Sequence, residues 1–259
     1  MNVLSLFDGM SCGQIALNRL GVEVNKYYAS EIDNHAIKVT KANYPDTLHL
    51  GDVTRWREWD IDWSSIDLLL GGSPCQGFSF AGKQLNFDDE RSKLFFVFVD
   101  IRNHIKSVNP NVNYLLENVK MKDECVSVIN ECLGVEPVFI NSDLFIQQNR
   151  PRLYWCNWDI EELPTRPEWD GEYWQYRRTY FRKNKSGVCP CLTANMGTGG
   201  HNVPLRSEDL KDKLTPLDCE RLQTVPDNYT AYVSNTQRYK MLGNGWTVDV
   251  VAHILKGLK

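Results

Sequence analysis

The sequence predicts an α/β fold built on a doubly wound, mostly parallel sheet, with a small irregular region placed late in the chain. Three observations carry this. Short apolar runs alternate with helical segments through residue 158, as expected for a parallel sheet covered on both faces. Glycine-rich or acidic stretches follow several of these runs, where such a sheet opens its ligand crevice. Periodicity then fails over residues 159–213 and returns for 214–259.

The elements follow in order. "NVLSLF" (2–7) reads as a buried strand and "SCGQIALNRL" (11–20) as a helix stopped by Gly21. "KYYASEI" (26–32) is a second strand. "DNHAIKVTKAN" (33–43) is a helix capped by Asp33 and ended before Pro45. "IDLLLGG" (66–72) is a strand and "ERSKLFFVFVDIRNHIKSV" (90–108) a long apolar helix. "VNYLLENV" (112–119), "PVFINS" (137–142) and "RLYWCNW" (152–158) read as further strands. In "TPLDCERLQ", Thr215 can cap a helix, with Pro216 at its first position and Asp218 and Glu220 in its first turn. "GNGWTVDVVAHILKGL" reads as a tight glycine turn and a last helix.

Composition narrows the class. At 259 residues, 42% hydrophobic and 24% charged, the chain suits one large globular domain or a domain with a small insert. No apolar run approaches the roughly 18 residues of a membrane helix, and the N-terminus lacks the basic start of a signal peptide. A cytoplasmic protein without membrane partners is expected. Eight cysteines contain no CxxC pair, and "CPC" (189–191) is too tight for the usual zinc spacing. Reduced thiols and no metal site are therefore expected. Net charge is −4, yet Tyr173–Ser207 has no acid and six basic residues, Arg177, Arg178, Arg182, Lys183, Lys185 and Arg206, which leaves −10 on the rest. A basic patch on an acidic body reads either as a polyanion footprint or as a solvated loop.

Several residues suggest chemistry. "FDGMSCG" ends the first strand with Asp8, Gly9, Ser11 and Gly13, where a nucleotide-like cofactor would sit. It is not GxGxxG, so a dinucleotide is disfavoured. Glu31, 18 residues after Gly13 at the end of the second strand, can accept from both hydroxyls of a ribose, and Asp52 can hold an adenine amino group. In this order they favour an adenosine cofactor without a pyrophosphate. Cys75 in "GGSPCQGFSF" (71–80) lies at the carboxyl end of a central strand. It is either an inert buried thiol or a nucleophile. Glu117 in "LLENV" is either a nearby acid or a helix cap. Arg150 and Arg152 in "QQNRPRLYW", two residues apart, are either an anion clamp or surface ion pairs.

Taken together, "FDGMSCGQIAL", "GGSPCQGFS", "ENV", "QNRPR", "LTPLDCERLQTVPDNY" and "GNGWTVDVVAHI" resemble, in order, the motifs of the cytosine-C5 DNA methyltransferases over nearly the whole chain. Met10 and Cys12 stand where many members carry glycine. The 90–119 and 152–158 stretches lean toward the animal de novo branch. The resemblance implies a class I, Rossmann-like methyltransferase that transfers methyl from S-adenosylmethionine, leaving S-adenosylhomocysteine, to a cytosine flipped out of double-stranded DNA. It implies Cys75 as nucleophile at C6, Glu117 at the base edge, and Arg150 and Arg152 on the flipped nucleotide. It places Phe7, Asp8, Gly9, Ser11, Cys12, Gly13, Glu31, Ile32, Asp52, Val53, Asn244, Trp246 and Thr247 around the cofactor. Gln76, Ser79, Gln148, Arg177, Arg178, Arg182, Lys183, Lys185 and Thr193 are expected on DNA. Residues 1–158 and 214–259 would form the catalytic and cofactor-binding part, and 159–213 the target-recognition region. So short a region implies a short target site, and a restriction–modification setting with a cognate endonuclease is one expected context. A monomer is expected.

The rivals are weaker. The tRNA-methylating branch carries Cys-Phe-Thr after its Glu-Asn-Val, and "KMKDECVSV" stands here. Amino-methyltransferases use a D/N/S-P-P-[YF] loop where this chain has "SPCQ". A silent regulatory paralogue has no reason to keep Cys75, Glu117 and both arginines.

Overall fold

A computed structural model of the protein describes residues 1–73, 90–176, 179–198 and 203–258. Seven strands form one sheet in the order β3-β2-β1-β4-β5-β7-β6. They are β1 (Asn2–Leu6), β2 (Lys26–Ser30), β3 (Leu48–His49), β4 (Leu68–Gly71), β5 (Asn113–Val119), β6 (Val138–Asn141) and β7 (Pro151–Cys156). Pairing is parallel from β3 through β5, and β7 runs antiparallel to both β5 and β6. A second, two-stranded sheet pairs β8 (Trp174–Tyr176) with β9 (Phe181–Lys183).

The period-2 alternation of side chains builds two cores, one on each face of the large sheet. Val3, Leu68, Leu70, Leu115 and Tyr154 face one core, with Ile15 and Leu17 of helix α1 (Cys12–Arg19) and Val39 of α2 (Asn34–Asn43). Leu4, Leu6, Leu69, Leu116 and Trp155 face the other. Phe95, Phe98, Ile101 and Ile105 of α3 (Glu90–Val108) fill it at helical spacing. Each side chain buried this fully contributes roughly 1.5–3 kcal/mol. The expected strands and the first three helices all form, with ends shifted by up to two residues.

Two helices were not expected from the sequence. Helix α4 (Asp123–Leu133) has acids in its first turn and closes on Gly134 at φ +73°, as a left-handed stop requires. Buried Arg102 donates to the carbonyls of Cys132 and Leu133 and so satisfies the end of that helix. Helix α6 (Asn235–Asn244) occupies the stretch before "GNGW", so Gly243 belongs to a helix and no tight turn forms there. These glycines serve close approach. A Cβ on Gly243 would lie 2.1 Å from the carbonyl carbon of Thr193, and one on Gly245 would lie 2.7 Å from Met10 Cε. Helix α5 (Pro216–Leu222) starts at Thr215 with Pro216 first and Asp218 in the first turn, as expected, while Asp218 closes a reciprocal capping box and Glu220 is buried beyond the first turn; α7 (Val248–Leu255) closes the fold. Among the described residues no helix is long and apolar enough to cross a membrane.

Candidate functional site

The site lies at the carboxyl ends of β1, β2, β4 and β5. The turn after β1 supplies its first wall. Phe7, Gly9 and Ser11 all take positive φ, at 57°, 58° and 62°. The sequence keeps the left-handed backbone of a glycine-rich loop with glycine at only one of the three. Local bonds hold it: Ser11 N donates to the Asp8 carbonyl at 3.0 Å, and the Ser11 hydroxyl donates to the Asp8 carboxylate. Tyr27 donates its hydroxyl to the other Asp8 oxygen at 2.8 Å. Burial raises the Asp8 carboxyl to about 6 against these hydrogen bonds, which act to lower it.

Glu31 sits just past the end of β2. Its Oε2 accepts from Gly9 N at 2.7 Å, and its Oε1 accepts from Ile32 N and Asp33 N at 2.8 Å each. The next side chain, Ile32, is 72% exposed. A fixed carboxylate thus stands beside an uncovered apolar side chain. Asp52 follows β3 by three residues and does not end it. Its Oδ1 accepts from Thr54 N and Oγ1, so it caps the 3-10 turn Val53–Glu58. Val53 turns its side chain into the core beneath.

Glu117 on β5 is the centre of the second wall. Arg152 Nε lies 2.8 Å from Glu117 Oε1, and Trp246 Nε1 donates to Oε2 at 3.1 Å. The neighbouring Asn118 is buried and donates to both the carbonyl and the hydroxyl of Ser73 at 3.3 Å. It thereby ties the end of β4 to β5, immediately before the residues that include Cys75. Cys75, Gln76, Ser79, Arg177 and Arg178 lie outside the described residues.

Three expectations are corrected by packing. Gln148 is fully buried, so it cannot reach DNA. Its amide donates to Leu222 O and Gln223 Oε1 and accepts from Leu192 N. Arg150 is also buried. Its guanidinium donates to the carbonyls of Leu192, Gly243 and Gly245 at 2.7–3.0 Å. It clamps three carbonyls on two backbone segments and leaves no fork for a phosphate. The hydroxyl of Thr247 points inward to Gln223 Oε1 at 2.8 Å, so only its backbone remains for a cofactor. Gln223, which joins Gln148, Thr247 and the carbonyls of Leu242 and Gly245, was missed. Nothing in "ERLQTVP" marks that glutamine as interior.

The remaining residues fall as follows. Cys12 and Gly13 begin α1 and are buried, and burial pushes the Cys12 thiol up to about 12. Asn244 is exposed at the end of α6, and Thr193 is exposed beside it with its backbone against Gly243. Lys183 is paired with Glu172, and Arg206 with Asp218, so part of the basic patch is neutralised. Arg182 and Lys185 are exposed and make no ion pair among the described residues. Arg182 lines a cavity of about 230 Å³ with Asn149, Gln175, Asn184, Pro190 and Cys191. No cluster of three or more metal-ligating side chains occurs among the described residues.

The family model described as C-5 cytosine-specific DNA methylase matches residues 1–156 and 166–259. The chain is 30% identical to the type II methyltransferase M.Bsp6I of Bacillus sp. (strain RFL6), over 100% of this chain and 98% of that one. It is 31% identical to the type II methyltransferase M1.ScrFI of Lactococcus lactis subsp. cremoris, over 96% of this chain and 75% of that one. Among solved structures, the Entamoeba histolytica methyltransferase EhMeth shares the fold at a TM-score of 0.71 and 16% identity, covering 100% of this chain and 99% of that one. The chain belongs to the C-5 cytosine-specific DNA methylase family, and its activity is that of a DNA (cytosine-5)-methyltransferase.

Proposed function

We propose that the protein methylates C5 of a cytosine flipped out of double-stranded DNA, through a covalent adduct between Cys75 and C6. The observation that supports this best is Glu117, held on both oxygens beside the strand end that leads into the Cys75 loop. In this reading the Cys75 thiolate adds to C6 while Glu117 contacts N3 and the exocyclic amine. C5 then carries the electron pair that takes up a methyl group. Loss of the C5 proton returns that pair, the C6–sulfur bond breaks, and the thiolate leaves. Flipping the base costs a few kcal/mol, which DNA contacts must supply.

S-adenosylmethionine would supply the methyl group. Glu31, Ile32 and Asp52 would hold its adenosine, and the loop 7–13 its amino-acid end. The fit rests on the fixed Glu31 carboxylate, the uncovered Ile32 and the left-handed turn at Phe7–Ser11. Residues 159–213 would form the target-recognition region, with Arg182 and Lys185 toward phosphates. The type II and orphan methyltransferases among the relatives support a cytoplasmic setting in a bacterium or a phage-infected cell, with or without a cognate endonuclease.

The test is a duplex carrying 5-fluorocytosine. Fluorine cannot leave C5 as a proton does, so elimination is blocked. A DNA–protein adduct stable to denaturation, mapped to Cys75 by mass spectrometry, is expected. No adduct in the presence of cofactor would contradict the mechanism.

A further inference from the structure

Glu117 is engaged on both oxygens, by an ion pair with Arg152 Nε at Oε1 and by a hydrogen bond from the indole of Trp246 at Oε2. The family resemblance places Arg152 at the flipped nucleotide and Trp246 only at the cofactor. The structure builds space for this indole. A Cβ at Gly72 would stand 2.9 Å from Trp246 Nε1 and 3.2 Å from Glu117 Oε2, so any side chain there would displace the bond. A Cβ at Gly13 would stand 3.7 Å from Trp246 Cζ3, which places the far edge of the ring at the start of α1.

The backbone around Trp246 is fixed from the buried side. The Gly245 carbonyl accepts from Arg150 at 2.7 Å and from Gln223 at 3.1 Å. The Thr247 hydroxyl is held by Gln223, and Gln223 is held in turn by Gln148. The indole N–H therefore reaches Glu117 from an anchored scaffold, and the indole spans from the cofactor-side loop to that carboxylate.

We infer that Trp246 is a positioning residue for Glu117, fixing the rotation of its carboxylate toward the target base. The terminal torsion of a glutamate is broad and roughly two-fold. An ion pair on one oxygen alone leaves the plane loosely set, whereas a directional donor on the other oxygen fixes it. The remaining lone pairs then point in one direction before the base arrives, which is preorganisation of the kind that lowers a barrier. The inference rests on the reading of Glu117 as the group that contacts the base.

Two variants test it. Trp246→Phe removes the N–H and shrinks the ring. Replacement of Trp246 by 3-benzothienylalanine exchanges N–H for sulfur and keeps the shape. Single-turnover methylation is measured at saturating cofactor and DNA, and S-adenosylhomocysteine binding by calorimetry. A hydrogen bond to a charged group is worth enough to slow the step about tenfold or more. Both variants are expected to show that loss, with binding in the benzothienyl variant unchanged within about threefold, well below the tenfold that 1.4 kcal/mol represents. An unaltered rate in the benzothienyl variant, or a loss that saturating cofactor restores, would overturn the inference and leave the functional reading intact. A wild-type protein that methylates no cytosine would remove both together.

Discussion

Arg152 Nε stands 2.8 Å from Glu117 Oε1, across adjacent antiparallel strands and with both side chains nearly enclosed, at 13% and 12% exposure. The two are not directly opposite. Glu117 faces Tyr154 and Arg152 faces Val119, so the pair is a diagonal one. Removing one partner strands the other. Arg152→Ala is expected to lower stability by about 3 kcal/mol and methylation by at least a hundredfold. Adding Glu117→Ala to it should recover part of the stability and none of the activity. Urea denaturation of the two single variants and the double variant checks this, and strictly additive losses would contradict it.

Gln148 is interior, so its loss should be felt in folding and not in DNA contact. Gln148→Ala removes the hydrogen-bond partner of the buried Leu192 N–H and of the Leu222 carbonyl. A loss of about 2 kcal/mol is expected, with no change in the salt dependence of DNA binding. A shallower salt slope with unaltered stability would restore the residue to the DNA interface.

Asp8 gives a pH signature. Its carboxyl is raised from 3.8 to about 6 in the folded protein, chiefly by burial. The folded state thus holds the proton more tightly than the unfolded one. Stability from this source is complete below about pH 4 and is lost as pH rises through about 6. The loss amounts to roughly 3 kcal/mol at 1.36 kcal/mol per unit. The stability of wild type minus that of Asp8→Asn should fall by about that much between pH 4 and pH 7. A difference that stays flat would show that Asp8 is not shifted.

Around β9, Lys183 is ion-paired whereas Arg182 and Lys185 make no ion pair among the described residues, and on the proposed reading the latter two face phosphates. Arg182→Ala and Lys185→Ala should each reduce the slope of log K against log salt by about 0.9, with little effect on stability. Lys183→Ala should do less, because Lys183 already pairs with Glu172. Equal effects of all three would mean that the Lys183–Glu172 pair opens on DNA.

Much of this was legible in the sequence because it depends on local rules. Strand alternation, the Asp33 cap and the Thr215 cap need only neighbouring residues. So does the placement of Glu117 and Arg152 on strands. The parts that were misread depend on distant packing. Gln148 and Arg150 sit in a stretch with the pattern of a binding strand, and their true partners lie about 40 to 95 residues away in Leu192, Leu222, Gln223, Gly243 and Gly245. Helix α6 has a weak apolar face, and it packs on the distant 194–198 turn and on α5, contacts its own sequence does not announce. Gly197 makes the same point, since a Cβ on it would lie 2.3 Å from Thr236 O.

The most direct test of the central claim is methyl transfer from labelled S-adenosylmethionine to unmethylated duplex DNA, with tRNA in parallel and bisulfite sequencing as readout, for wild type and Cys75→Ser. The account predicts label at cytosine C5 in DNA alone, abolished in the variant while S-adenosylhomocysteine still binds. Label confined to tRNA, or a Cys75→Ser variant that still methylates DNA, would contradict it.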